Sequence, residues 1–334
     1  MALLLAGLPF SVPGETVNRL CASGMSAVIH AHRAVQTGDG DIFIAGGVEN
    51  MTRGPWVISK ASKPFGRDSK MEDSSFGWRF INPKMQEIYG TEGMGQTAEN
   101  LAEKYDINRD DQDAFAYQSQ MKAAVAQKDG IFAKEIILVE IPQRKADPII
   151  FKDDEFVKPY TSIEGLAKLK PAFKKDGTVT AGNASGLNDG AAAMLIASEE
   201  GVKNHGLTPI ARIVSSAVVG VEPRIMGIGP VQAANKALEK SGLTMDEMDV
   251  IELNEAFSAQ VLACIREWRL EDDDHRTNPN GGALALGHPL GMTGTRILQT
   301  AALELKRKQK KNALVSMCVG VGQGYAVIIE NLEI

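Results

Sequence analysis

The sequence predicts an α/β protein made of two similar units, with a long polar segment inserted into the first. Residues 16–47 predict a short strand, an amphipathic helix with apolar residues three and four apart, and a buried strand ending in glycines. Residues 283–320 predict a second helix followed by a buried strand that again ends in glycines. We interpret this repetition as an internal duplication. The alignment of the two units pairs Cys21 with His288, Gly24 with Gly291, Met25 with Met292 and Ser26 with Thr293.

Length and composition place the chain among ordinary globular proteins. Its 334 residues, 44% hydrophobic and 23% charged, suffice for roughly two or three domains and exclude disorder and small disulfide-stapled scaffolds. The formal charge of -6 offers no basic surface to a nucleic-acid backbone. No run approaches the ~18 apolar residues of a membrane helix. Three cysteines without zinc spacing argue against a disulfide framework or a metal site, and favour a reducing, cytoplasmic location.

The inserted segment divides the chain into three parts. It follows the first buried strand, is rich in Lys, Asp, Gly and Pro, and carries a helix pair predicted at residues 97–104 and 109–128. Buried strands predicted at residues 191–198 and 210–220 return the chain to a core. We therefore predict a first half formed by residues 1–50 and 187–208, an inserted loop domain at residues 51–186, and a second half at residues 209–334.

The duplication also gives an expectation about the start of the chain. In the second half, 78 residues separate Ile210 from His288, whereas only 20 residues precede Cys21. This difference of roughly sixty residues exceeds a ~30-residue strand–helix–strand unit. We therefore expect the first half to be incomplete at its start, and expect this chain to be less stable and less active than an upstream-extended form.

Cys21 is the first candidate for chemistry because it lies at a glycine-flanked junction of strand and helix. A helix N-terminus contributes about 0.3 to 2 kcal/mol, which lowers a thiol pKa by roughly one unit. Pairing of the two halves would bring His288 to the same place as a second partner. We expect both effects to lower the pKa of Cys21 and to make it the first cysteine alkylated. The alternative is a small core residue, the commoner fate of a free cysteine.

Cys318 ends a buried strand and precedes a glycine-rich run. The run is not a dinucleotide-binding motif, because its spacing differs from G-x-G-x-x-G and a strand, not a helix, follows it. Glycines allow backbone N–H groups to approach a ligand closely, as an oxyanion site requires. A plain hairpin turn explains the same pattern equally well.

The remaining cysteine and the two histidines of the first helix are not predicted to have a chemical role. Cys264 falls on one apolar helix stripe with Phe257, Val261 and Trp268, and is predicted to be a core residue. Two neighbouring histidines of the first helix are two residues apart, face different sides and cannot share a metal. Neither feature predicts a metal site.

Seven ordered motifs resemble those of the thiolases, the acetyl-CoA acetyltransferases and 3-ketoacyl-CoA thiolases, over essentially the whole chain. The resemblance implies a five-layered αβαβα fold of two duplicated βαβ halves, with a loop domain inserted in the first. The motifs are Asn18-Arg-Leu-Cys-Ala-Ser-Gly, Gly46-Gly-Val-Glu-Asn-Met, Gly93-Met-Gly-Gln-Thr-Ala-Glu-Asn, Thr180-Ala-Gly-Asn-Ala-Ser-Gly-Leu-Asn-Asp-Gly, Asn254-Glu-Ala-Phe, Asn280-Gly-Gly-Ala-Leu-Ala-Leu-Gly-His-Pro and Cys318-Val-Gly-Val-Gly.

The resemblance assigns roles to the candidate catalytic residues. Cys21 resembles the nucleophile that becomes an acyl thioester, His288 the group that activates it, and Cys318 the second acid and base. Asn254 resembles the family asparagine that holds a water, which together with His288 receives one oxyanion. The backbone N–H groups of Cys21 and Gly320 would receive the other. A carbanion leaving group needs such donors, each commonly worth 10²- to 10³-fold in rate.

The resemblance also implies how substrates bind. No permanent cofactor is expected; coenzyme A is a co-substrate, and the partners are 3-ketoacyl-CoA and acetyl-CoA. Gly93 stands where short-chain biosynthetic members often carry His, which disfavours acetoacetyl-CoA as the preferred substrate. The family assembles as homodimers or homotetramers. The residues matching the pantetheine tunnel are Ser185, Phe173, Met94 and Phe257, and Lys158 is a candidate for binding the CoA phosphates.

The expected reaction is thiolytic cleavage of a 3-ketoacyl-CoA, or its reverse, a Claisen condensation. One cysteine is acylated and the other transfers protons. A ketoacyl-carrier-protein synthase is disfavoured, because those enzymes typically pair Cys with two His or with His and Asn, and lack the glycine loop around Cys318. A different alternative is an incomplete, catalytically impaired homologue that acts only as a binding or assembly partner. CoA-dependent thiolysis would separate these two functions.

Overall fold

The helices and strands are those of a computed structural model that describes residues 1–75 and 77–333. The helices are α1 Ala2–Leu5, α2 Ser23–Thr37, α3 Pro83–Tyr89, α4 Met94–Lys104, α5 Arg109–Lys128, α6 Ile163–Ala167, α7 Glu199–His205, α8 Gly229–Ser241, α9 Ser258–Glu267, α10 Ala283–Leu286 and α11 Leu290–Lys308. The strands are β1 Ile42–Asn50, β2 Trp56–Ile58, β3 Met71–Asp73, β4 Val139–Ile141, β5 Ile149–Phe151, β6 Asp189–Ala197, β7 Ala211–Gly220, β8 Val250–Leu253, β9 Asn312–Val319 and β10 Gln323–Asn331.

The first predicted unit forms only in part: its helix and buried strand are present, but the strand predicted before Cys21 is wrong, since no described strand pairs with residues 16–19, which lead into a 3-10 turn. Helix α2 buries Met25, Val28 and Ile29 on one stripe, as their spacing predicts. It ends at Gly38, whose φ of 79° lies in the left-handed region that glycine adopts without strain. Strand β1 follows directly. The second unit, α11 followed by β9, has the same order.

The strands form two main sheets. A four-stranded sheet has the order β7-β10-β9-β8, with β10 antiparallel to both neighbours and β8 parallel to β9. Its residues alternate between two hydrophobic clusters, so that Leu314 packs on one face and Val315 on the other. Both faces are therefore buried. A two-stranded antiparallel sheet pairs β1 with β6, from Ile42 opposite Ala197 onward.

These elements stack in layers. Helix α8 packs on one face of the four-stranded sheet, and α2 and α11 lie between that sheet and the β1–β6 sheet. The outer face of the β1–β6 sheet exposes Ile44, Val48 and Leu195. The described residues thus supply four of the five expected layers along this stack.

The connection between paired strands differs between the two units. In the second unit, β9 and β10 form a hairpin closed by the three-residue turn 320–322. In the first, β1 and β6 pair in the same antiparallel way, but residues 51–188 lie between them. The long segment therefore occupies the position of a tight turn. The domain boundaries at residues 50, 186 and 208 stay a prediction.

The two units meet through glycines at the N-terminal ends of α2 and α11. An added Cβ at Gly24 would lie 2.7 Å from the Gly291 carbonyl oxygen, and one at Gly294 would lie 2.6 Å from Cβ of Met25. An added Cβ at Gly47 would overlap the Gly291 carbonyl. The helix ends that carry the Cys21 and His288 segments therefore pack together, as the duplication predicts. Among the described residues, no helix is long and apolar enough to cross a membrane.

Replacing Gly47 by Ala should destabilise the fold by more than about 2 kcal/mol, because the added methyl group has no room beside backbone that cannot move alone. Urea unfolding followed by circular dichroism measures the change. Gly220→Ala is the control, since an added Cβ there has no neighbour within 4 Å. Equal stability of the two variants would show that this contact does not determine the packing of the units.

Candidate active site

Cys21 lies in a short 3-10 turn, Leu20–Ala22, that leads directly into α2. Leu20 has a φ of 50°, in the left-handed region that side chains other than glycine seldom adopt. Side chains on either side hold this turn: the Leu20 N–H donates to Asn18 Oδ1 at 2.9 Å, and Ser23 Oγ donates to the Leu20 carbonyl at 2.7 Å. The Cys21 residue in this turn is buried, with 9% of its surface exposed.

The environment of Cys21 corrects the expectation that its pKa is lowered. Burial raises the pKa of Cys21 to about 11. The backbone N–H groups of Gly320 and of Cys21 itself donate toward the sulfur and act in the opposite direction, while the negative charge of Glu49 adds to the rise. Loss of water around the thiolate outweighs the donors at the helix N-terminus. Cys21 is therefore a neutral thiol at rest.

Cys318 and the glycine turn lie beside Cys21. The Cys318 thiol is 2% exposed, and burial together with the nearby Cys21 raises its pKa well above the usual value. After it, Gly320, Val321 and Gly322 form the turn of the β9–β10 hairpin, with φ of 66° at Val321 and 92° at Gly322. The hairpin turn forms as one interpretation of the sequence predicts, and it directs the Gly320 N–H at the Cys21 sulfur. The oxyanion site stays a prediction.

The hydrogen bonds of His288 define which ring nitrogen is free. Thr293 Oγ1 lies 2.8 Å from His288 Nδ1 and donates its own proton to the Pro289 carbonyl at 2.8 Å. The hydroxyl can therefore only accept from the ring, which places the proton on Nδ1 and leaves a lone pair on Nε2. Burial, with the charge of Arg296, lowers the pKa of His288 to about 3. His288 is a neutral acceptor.

Asn254 faces that free nitrogen. Its Nδ2 lies 3.4 Å from His288 Nε2. Its backbone N–H donates to the Ser316 carbonyl at 3.0 Å. This bond joins Asn254 to β9 at a position two residues before Cys318. The Asn254 Oδ1 is buried and has no hydrogen-bond partner among the described residues. A buried acceptor of this kind suits a water or a substrate group.

The residues predicted to line the pantetheine tunnel lie together. Phe173 packs on Gly95 in the first turn of α4, which begins at Met94. The Phe173 and Phe257 rings form an edge-to-face pair with centroids 6.0 Å apart. The Ser185 N–H donates to the carbonyl of the residue before Phe257 at 3.0 Å. Because Phe257 is three residues after Asn254, this cluster adjoins the candidate catalytic residues.

Lys158 lies at the exposed edge of the same region. Its Nζ is 4.9 Å from the centroid of the Phe156 ring, and that ring packs on Gly186, the residue after Ser185. Its backbone N–H donates to Gln120 Oε1 on α5 at 2.8 Å. The side chain is exposed, as a phosphate-binding residue must be.

Cys264 is a core residue, as predicted from its helix stripe. It is fully buried in α9, donates to the Gly227 carbonyl at 3.3 Å, and burial raises its pKa to about 12. Within residues 1–75 and 77–333, no group of three or more His, Cys, Asp or Glu side chains is placed to hold a metal ion.

Sequence reasoning missed three residues of the site. The sequence alignment paired Thr293 with Ser26 and predicted no role for it, although its hydroxyl fixes the His288 tautomer. Glu49 and Glu255 were quoted inside motifs without a role. Glu49 Oε2 accepts the Gly291 N–H at 2.9 Å and so caps the N-terminus of α11. A carboxylate in a glycine-rich motif is a signal for such a cap, but its partner lies 242 residues away along the chain.

Comparison with protein families decides the class. The thiolase N-terminal domain matches residues 1–200, and the thiolase C-terminal domain matches residues 207–331. The chain belongs to the thiolase family. It therefore has the thiolase fold and is an acyltransferase of the thiolase class, with acyl-CoA and CoA as substrates.

Several thiolases are similar over nearly the whole chain. A beta-ketoadipyl-CoA thiolase of Acinetobacter baylyi is 56% identical over 332 residues, which cover 99% of this chain and 83% of that protein. A 3-oxoadipyl-CoA/3-oxo-5,6-dehydrosuberyl-CoA thiolase of Escherichia coli is 54% identical over the same shares. The crystal structure of human mitochondrial 3-ketoacyl-CoA thiolase superposes with a TM-score of 0.90 at 44% identity, covering 98% of this chain and 81% of that chain. The crystal structure of the human enzyme in complex with CoA superposes with a TM-score of 0.89.

Alkylation of Cys21 by iodoacetamide should accelerate about tenfold per pH unit from pH 7 to pH 9, because the thiolate fraction of a thiol with a pKa near 11 rises about tenfold with each unit in this range. Peptide mapping gives the rate at each cysteine. Cys264, fully buried, is the internal control and should react more slowly throughout. A rate at Cys21 that is already constant near pH 7 would instead indicate a thiolate–imidazolium pair.

Proposed function

We propose that this thiolase cleaves 3-ketoacyl-CoA with CoA through an acyl thioester on Cys21. The observations that support this most directly are that Cys21 is a neutral thiol, that His288 is neutral with a free Nε2, and that the turn carrying Cys21 packs against α11, the helix that follows His288. Such a pair can pass a proton from sulfur to nitrogen as the sulfur attacks.

In the first half-reaction, the Cys21 proton moves to His288 Nε2 and the sulfur bonds to the 3-keto carbon. The N–H groups of Cys21 and Gly320, which already point at the sulfur, receive the developing alkoxide. The bond between C2 and C3 then breaks and leaves the acyl group on Cys21. The departing acetyl-CoA enolate is received by the new Nε2–H of His288 and by a water on Asn254. Cys318 supplies the proton that C2 needs.

In the second half-reaction, the CoA thiol attacks the acyl-enzyme carbonyl. Its proton returns to the Cys318 thiolate, the same two N–H groups receive the alkoxide, and the bond to Cys21 breaks. The sulfur regains the proton held by His288. A shortened acyl-CoA leaves, and both cysteines are again neutral thiols. Thr293 supports both steps because it keeps the proton of the resting ring on Nδ1.

The adjoining cluster of Met94, Phe173, Ser185 and Phe257 is proposed to hold the pantetheine arm, and Lys158 the CoA phosphates. The paired aromatic rings give an apolar wall beside Asn254. We further propose that CoA is an exchangeable co-substrate without a permanent cofactor, that the protein acts in the cytoplasm without nucleic-acid or membrane partners, and that it assembles as a homodimer or homotetramer. The exposed apolar residues of the β1–β6 sheet support assembly.

Cys318→Ala should abolish thiolysis while transfer of an acyl group from a simple acyl-CoA onto Cys21 stays measurable. The variant removes the proton that the enolate carbon must gain, whereas the CoA of a simple acyl-CoA can leave as a thiolate without that proton, and the N–H donors at Cys21 stay in place. Steady-state thiolysis and mass spectrometry of the acylated chain measure the two steps. Cys264→Ala is the control. Equal loss of both steps in Cys318→Ala would assign Cys318 to acylation or to structure.

We propose 3-oxoadipyl-CoA as the preferred substrate, since relatives named for it are 54–56% identical. Gly93, at the N-terminal end of α4, leaves open space, with no atom within 4 Å of an added Cβ. A panel of 3-ketoacyl-CoA substrates should give the highest kcat/KM for 3-oxoadipyl-CoA, and Gly93→His should reduce that value more than the value for acetoacetyl-CoA. A preference for acetoacetyl-CoA would contradict the proposal. No turnover of any substrate would favour an assembly role.

A further inference from the structure

The turn after β8 buries a carboxylate that the proposed mechanism does not use. Glu255, next to Asn254, is 1% exposed and accepts three hydrogen bonds from three different parts of the chain. Its Oε2 accepts from Ser119 Oγ at 2.6 Å and from the Leu284 N–H at 3.1 Å, and its Oε1 accepts from Asn278 Nδ2 at 2.8 Å. Burial raises the pKa of Glu255, while these donors and Lys122 oppose the rise.

Two of these contacts join α5 to the segment that leads to His288. Ser119 Oγ, besides donating to Glu255, accepts the Gly282 N–H at 3.1 Å. One residue along α5, Gln120 Nε2 donates to the Leu284 carbonyl at 2.9 Å. Gly282 itself packs so closely on Glu255 that an added Cβ would overlap the carboxylate. The segment therefore packs directly on Glu255, and His288 lies four residues beyond Leu284.

The third contact ties the same segment to β8. Asn278 Oδ1 accepts the Leu253 N–H, and Asn278 Nδ2 donates to the Leu253 carbonyl, both at 2.8 Å. The same amide donates to Glu255. Asn254 is therefore held on both sides, by the residue before it and by the residue after it.

We propose that Glu255 is a positioning residue for the thiolase reaction, whose carboxylate sets Asn254 and the His288 segment in one geometry and anchors both to α5. This inference rests on the proposed function, because it acts through Asn254 and His288. Glu255 itself does not touch the reacting atoms. The 3.4 Å separation between Asn254 Nδ2 and His288 Nε2 is the geometry that it controls.

Glu255→Gln keeps the size of the side chain but replaces one acceptor oxygen by a donor, which opposes Asn278 in one orientation and both Ser119 and the Leu284 N–H in the other. We expect kcat for thiolysis to fall about tenfold, since misplacement by ~1 Å costs about 10²-fold, with little change in KM for CoA. Combined with Asn254→Ala, the change should cost less than the product of the two single losses, because both act on one unit. Kinetics of the four proteins measure this.

Glu304→Gln is the matched control. Glu304 is also buried and accepts from Asn280 in the same loop, but it lies near the far end of α11, where Arg307 and Lys308 pair with it. It should lower the melting temperature and leave kcat unchanged. Equal kcat losses in the two variants, no loss in Glu255→Gln, or full additivity with Asn254→Ala would overturn the proposal.

A second variant tests the inference if Glu255→Gln does not fold. Ser119→Ala removes one donor to the carboxylate and one acceptor for Gly282, and should lower kcat about threefold by the same route. Unchanged kcat in that variant would overturn the proposal. A wild-type protein without thiolysis of any 3-ketoacyl-CoA would instead refute the proposed function, which is a separate outcome.

Discussion

The close packing of α2 against α11 is the constraint on which the site depends. Each helix places a glycine where they cross: Gly24 of α2 lies against the Gly291 carbonyl, and Gly294 of α11 lies against Met25. The first turns of both helices can therefore meet, and Cys21 and His288 each lie two residues before the start of their helix. The four-stranded sheet below ends in Cys318 and the glycine turn at the same place. A site assembled from two halves in this way exists only while the halves stay packed.

The same packing determines the charge state of the site. It removes water from Cys21 and His288 together, which raises the pKa of the thiol to about 11 and lowers that of the imidazole to about 3. Both groups are neutral, so the resting site holds no buried ion pair that must be stabilised. Charge develops only when sulfur attacks, next to the Gly320 N–H that already points at it. Because water is excluded from this site, each hydrogen bond to the developing negative charge is stronger than it would be in water.

Local sequence predicted the bounds of the longer helices and strands well, and the pKa values of the site residues poorly. The second helix of the inserted pair is α5, and both of its predicted ends hold, because Asn108 caps its start and Gly130 follows its end. The pKa of Cys21 was predicted in the wrong direction, since the helix terminus is visible in sequence and the loss of water is not. The bond from Ser119 to Glu255 joins residues 136 positions apart, and no local pattern indicates it. The short β2–β3 and β4–β5 hairpins were not predicted, because their residues do not alternate strongly between apolar and polar.

Each of the two N–H donors lies beside a residue with a strained backbone. Leu20, just before Cys21, and Val321, just after Gly320, both adopt left-handed φ values of 50° and 66°. Each such residue costs of order 1–3 kcal/mol and persists only where surrounding structure fixes it. Here the Leu20 side chain lies against Gly320, with its Cδ1 3.1 Å from the position of an added Cβ. The two strained turns therefore pack against each other. The N–H donors of Cys21 and Gly320 are held by the buried sheet and helices behind them before any substrate binds.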